Sequence, residues 1–105
     1  MSKYKIDFES MEWKMPTVGV RFKAFEQNGR KLRLVEFFKE FVEPDWCTKC
    51  HIGYILEGQM EIDFDGTKEI FGPGDGVFIP SGKKHKHKGK VLTDKVKVIL
   101  VEDGA

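Results

Sequence analysis

Residues 74–85 read GDGVFIPSGKKH, and the spacing inside this stretch decides the fold class. Gly74, Asp75 and Gly76, with Gly72 and Pro73 before them, make a turn that neither a helix nor a central strand accommodates. A short apolar run follows, Val77-Phe78-Ile79, and then a second turn at Pro80-Ser81-Gly82. So short an apolar run between two such turns reads as a strand.

The same punctuation continues in both directions. Asp65-Gly66 joins Met60–Phe64 to Lys68–Phe71, and Asn28-Gly29 joins the alternation of Val18, Val20 and Phe22 to Leu32 and Leu34. Asn-Gly and Asp-Gly are hairpin signals because both residue types tolerate the left-handed backbone of a tight turn. Met60, Ile62 and Phe64 take one face while Glu61 and Asp63 take the other, the period-2 signature of a half-buried strand. Val96–Val101 is a final strand. The segment from Arg33 to Val42 also fits a helical wheel, but its Phe and Val content and its place after a hairpin turn favour strand. Short strands separated by Gly-rich turns predict an all-β sandwich or barrel, and 105 residues predict one domain over 1–105.

Composition narrows the function classes. Hydrophobic residues make up 40% and charged residues 33%, as in a soluble globular protein. Lys and Arg number 18 against 17 Asp and Glu, a net charge of +1 that implies neither a nucleic-acid nor an anionic-membrane partner. The opening residues MSKYKIDFES lack an apolar export signal, so the expected location is cytoplasmic, where cysteines serve as thiols or metal ligands.

Chemistry is concentrated in two clusters. Residues 47–51 read CTKCH, the string that holds haem in c-type cytochromes, but that fold is helical and the attachment belongs to exported proteins. On an extended chain Asp45, Cys47 and His51 share a face and Cys50 takes the other, so the two thiols do not converge. The second cluster is KKHKHKGK at residues 83–90. Drawn as a strand, it puts Lys84, Lys86, Lys88 and Lys90 outward and His85 and His87 inward. Thiolate and imidazole together suit zinc, iron, copper or nickel. No aromatic platform is interleaved with the lysines, which argues against a single-stranded nucleic-acid surface.

With both clusters in place the sequence resembles the cupin superfamily, small jelly-roll barrels carrying two motifs. The second motif, G-x5-P-x-G-x2-H-x3-N, is met by Gly74, Pro80, Gly82 and His85, with Gly89 in place of the final Asn. The first, G-x5-H-x-H-x3or4-E-x6-G, is anchored by Gly58. Counting back sets His51 where the family has Glu, Cys47 and Asp45 where it has its histidines, and Lys39 where it has the opening Gly. The resemblance implies a jelly-roll barrel with a ligand site in its mouth, often with a divalent metal (Zn, Fe, Ni, Mn or Cu) on three His and one Glu. Here the expected donors are Cys47, His51, His85 and His87, with Asp45 in the ligand pocket. Zinc on Cys47, His51 and His85, or iron on His51, His85 and Asp45, would each satisfy known coordination chemistry. A metal-free cupin binding a sugar or carboxylic acid is the alternative. Phe37 and Phe38 point to opposite faces, so one ring needs cover outside the barrel, and a homodimer is expected.

Overall fold

The structure, a computed structural model, describes residues 4–103. Among them are nine strands: β1 (Lys14–Thr17), β2 (Val20–Gln27), β3 (Arg30–Phe38), β4 (His51–Glu57), β5 (Met60–Asp63), β6 (Lys68–Phe71), β7 (Gly76–Ile79), β8 (Lys88–Val91) and β9 (Lys95–Asp103). They form a six-stranded sheet in the order β1-β2-β3-β9-β4-β7 and a three-stranded sheet in the order β6-β5-β8, with every pairing antiparallel. The all-β expectation holds, and Arg33 lies in a strand that ends at Phe38.

The turns read from the sequence are where the chain reverses. Asn28 (φ 54°) and Gly29 (φ 75°) join β2 to β3 directly, and Asp65 (φ 59°) and Gly66 (φ 112°) lie between β5 and β6. Asp63 Oδ1 accepts the Gly66 N–H at 2.8 Å and steadies the second turn. Between the sheets, Val35, Ile55, Val77, Ile79, Val96, Val98 and Leu100 of the larger meet Met60, Ile62 and Val91 of the smaller. Gly53 allows the close approach of β4 to β9, since a Cβ there would run into the Ile99 carbonyl.

Two expectations need correction. Residues 83–90 do not form one strand: Lys83–His85 is a 3-10 turn entered through Gly82 at φ 119°, and β8 starts only at Lys88. The Phe37 and Phe38 rings do not call for a second subunit. Phe37 packs on Phe41 with centroids 5.0 Å apart, and Phe38 lies under the Arg21 guanidinium at 5.5 Å, both within the chain.

Candidate metal centre

The segment 39–50 leaves the large sheet and crosses to the small one. There Cys47 pairs with His87 in an isolated antiparallel bridge, each backbone N–H donating to the other's carbonyl at 2.9 and 3.0 Å. Directly opposed residues put their side chains on one face, so the Cys47 thiol and the His87 ring emerge together. His51 arrives from the other side as the first residue of β4, on the inward face that also carries Ile55. The donor atoms of Cys47, His51 and His87 all lie within 4.8 Å of one another. The two imidazoles meet edge to face with centroids 5.2 Å apart, and His87 is only 4% exposed.

The other expected residues stand apart from this group. Asp45 is exposed at a bend two residues before Cys47. His85 is exposed on the 3-10 turn, and its contribution is its backbone carbonyl, which accepts a hydrogen bond from His87 Nδ1 at 3.0 Å. His85 and His87 are two residues apart, yet they do not share a face because the turn ends between them.

Two residues that the sequence did not flag complete the arrangement. Glu102 Oε2 lies 3.0 Å from His51 Nδ1, and Arg33 grips the same carboxylate with Nε and a terminal nitrogen, both at 2.7 Å. Burial by itself pushes the Glu102 carboxyl upward. Hydrogen bonds from His51 and Arg33, with the guanidinium charge, outweigh burial and hold it at about 2 instead of 4.5. The signal was present in the alternation of β9, where Val96, Val98, Leu100 and Glu102 share a face and only the last is charged. Arg33 occupies the equivalent inward position on β3.

These contacts fix the chemistry of both rings. An ionised carboxylate and a backbone carbonyl only accept hydrogen bonds, so Nδ1 is the protonated nitrogen in His51 and in His87. In the neutral form of each ring the lone pair is then on Nε2. That of His51 faces Cys47 Sγ at 3.4 Å. One thiol and two imidazoles with their Nδ1 atoms engaged could hold a transition metal ion, the engaged nitrogen orienting each ring and raising its basicity. Donors around a tetrahedral zinc ion sit roughly 3.5 Å apart, a modest closing from the spacing here.

The cupin domain family matches residues 46–102, more than half of the chain, including Cys47, His51, His87 and Glu102. No curated protein matches the chain in sequence. Among solved structures, KdgF from Halomonas sp. is similar at a TM-score of 0.70 and 22% identity, over 92% of both chains. An RmlC-like cupin from Shewanella frigidimarina NCIMB 400 gives 0.74 and 20% identity, covering 99% of this chain and 93% of that one. The cupin domain of Schizosaccharomyces pombe Cnp3 gives 0.72 and 14%, over 97% of this chain and 70% of that one. Likeness at these identities concerns the fold. No helix among the described residues is long and apolar enough to cross a membrane. Two antiparallel sheets around a shared core, a motif-bearing turn at 74–85 and the family match over 46–102 together place this chain in the cupin family.

Proposed function

We propose that the chain is a single cupin domain that holds one divalent transition metal ion on Cys47, His51 and His87 and presents it to a small organic ligand. The observation that carries this reading is the pair of spoken-for Nδ1 atoms, on Glu102 and on the His85 carbonyl, which leaves both Nε2 lone pairs and the thiol as neighbouring donors. The nitrogen and sulfur donors favour zinc or copper over the oxygen-seeking magnesium, calcium or manganese. When bound, such an ion supplies Lewis acidity at a position left open by three protein ligands. The protein's part is to keep His51 in one tautomer through Glu102 and Arg33, and to seal His87 behind Phe64, whose ring lies 6.1 Å away.

The test is the metal content of reduced, tag-free protein by elemental analysis, with Cys47→Ala and His87→Ala beside it. Near one equivalent of zinc or copper in the wild type, lost in both variants, supports the reading. Visible thiolate-to-copper absorption after oxidation to copper(II) would single out copper, since two histidines and a cysteine make a blue site. Wild-type protein that stays metal-free after anaerobic reloading overturns it.

A second reading rests on the line from Cys47 Sγ through His51 to Glu102, at 3.4 and 3.0 Å. A thiol, an imidazole and an orienting carboxylate in series form a nucleophile with its base. Under this reading iodoacetamide labels Cys47 at least ten times faster than Cys50, and His51→Ala removes the difference. Under the metal reading, zinc protects Cys47 from labelling.

A further inference from the structure

The candidate metal centre takes Cys47 and His51 from the CTKCH string and leaves Cys50 outside the donor cluster. Both cysteines are free thiols, and both are half-buried and so partly open to solvent. Three fully extended residues span roughly 10 Å, whereas a disulfide takes Cα atoms no more than about 7 Å apart. The chain is not fully extended here. It bends at Lys49, which shortens the span and breaks the alternation that sets the two thiols on opposite faces. Cys47 is held by its bridge to His87, and Cys50 precedes the first residue of β4. Thr48 and Lys49 between them are exposed, so closing the remaining gap moves surface chain and no core side chain.

Reactivity points the same way. Cys47 Sγ lies 3.4 Å from His51 Nε2, which sets a base at this thiol. A nucleophilic thiol with a second, resolving thiol close by in the chain is the usual build of a redox-active cysteine pair. We propose that Cys47 and Cys50 are a reversible redox pair, which hydrogen peroxide converts to an intrachain disulfide that takes Cys47 away from the metal.

In the first step the Cys47 sulfur attacks one peroxide oxygen and the O–O bond breaks. The departing hydroxide leaves as water with the thiol proton, and Cys47 becomes a sulfenic acid. In the second step the Cys50 sulfur attacks the Cys47 sulfur, the S–O bond breaks, and a second water leaves with the Cys50 proton. Two thiols lose two electrons and two protons, and one peroxide becomes two waters. A dithiol reductant reverses the change by thiol–disulfide exchange and ends as a disulfide itself. The bond does not depend on the metal. Its consequence rests on the proposed function: an ion held by Cys47, His51 and His87 loses its sulfur donor, because the thiolate is the ligand.

The test treats the full reduced chain, metal-free and zinc-loaded, with hydrogen peroxide, beside Cys50→Ser and Cys47→Ser. Intact mass, peptide mapping and zinc release to a chromogenic chelator are followed. The wild type is expected to lose two hydrogens, to show a Cys47–Cys50 link within one chain, to release its zinc, and to rebind it after dithiothreitol. In Cys47→Ser, Cys50 is expected to oxidise slower by roughly tenfold or more. Cys50→Ser is expected to bind zinc within about twofold of the wild type, since Cys50 is not among the clustered donors. Peroxide should then carry its Cys47 to sulfinic acid, which dithiothreitol does not reduce, because the sulfenic acid has no resolving thiol. Metal-free wild type that forms no such link and keeps Cys50 as a free thiol overturns the inference, as does a link found only between chains. A loss of zinc affinity of roughly tenfold or more in Cys50→Ser also overturns it, since Cys50 would then be a further ligand. A link formed by protein that never holds zinc supports the redox pair and removes the metal reading alone.

Discussion

Glu36 and Glu102 stand on neighbouring strands of one sheet and face opposite ways. Both side chains are largely sequestered, 3% and 12% exposed. For both, burial raises the carboxyl pKa and nearby positive charge outweighs it, so both are depressed. They differ in what holds them. Outward-facing Glu36 is surrounded by three cationic side chains, Arg21, Lys95 and Lys97. Inward-facing Glu102 has one such cation, Arg33, which holds both of its oxygens, and Oε2 is shared with an imidazole that faces a thiol. A carboxylate ringed by permanent cations ties β2, β3 and β9 together. One coupled to a histidine also sets the state of that histidine.

The sharpest way to break this contrast is Glu102→Gln, which leaves Arg33 uncompensated between the sheets. Losing one partner of a buried pair costs about 3–5 kcal/mol of stability, read as a fall in the urea midpoint. The loss of His51 orientation weakens metal binding about 10–100-fold in a competition titration.

Acid titration of the wild type comes next. A folded-state pKa of about 2 against 4.5 means that Glu102 contributes its stabilisation fully above pH 4.5 and loses it progressively as the pH falls toward 2. The full effect is up to about 3 kcal/mol, and Glu36 adds to it in the same direction. Unfolding free energy should therefore drop across that window, and Glu102→Gln should flatten the drop.

Glu36→Gln is the comparison case. Its cations are about a third exposed, 34%, 31% and 32%, so water screens them once the carboxylate is gone. The expected loss is about 1–2 kcal/mol, with metal affinity unchanged. The smallest effect is reserved for His85→Ala. The carbonyl that orients His87 belongs to the backbone, so metal affinity should change less than twofold in the same titration. A large loss would show that the His85 ring turns inward.

The division between the readable and the unreadable parts follows the range of the interactions. Asn28-Gly29 and Asp65-Gly66 announced their turns because left-handed backbone is a local property of those residue types. Counting face by face placed Cys47 with His51, and the two donors do come together, the thiol from the bridge to His87 and the ring from the start of β4. The same counting misplaced His85, because parity survives only while the chain stays extended and Lys83–His85 is a 3-10 turn. The neighbour over Phe38 likewise comes from another strand, Arg21 of β2.

By itself the sequence determined that this chain is all-β, because turn residues and period-2 alternation act over a few positions, while the motif at 74–85 carried the resemblance to cupins and residues 45–51 and 83–90 supplied the candidate donors. Only the tertiary structure decided that His87 joins Cys47 and His51 and that Glu102 and Arg33 stand behind them. Those facts depend on which strands become neighbours. His51 and Glu102 are 51 residues apart in the chain and Arg33 and Glu102 are 69 apart, and antiparallel register brings them within hydrogen-bonding distance.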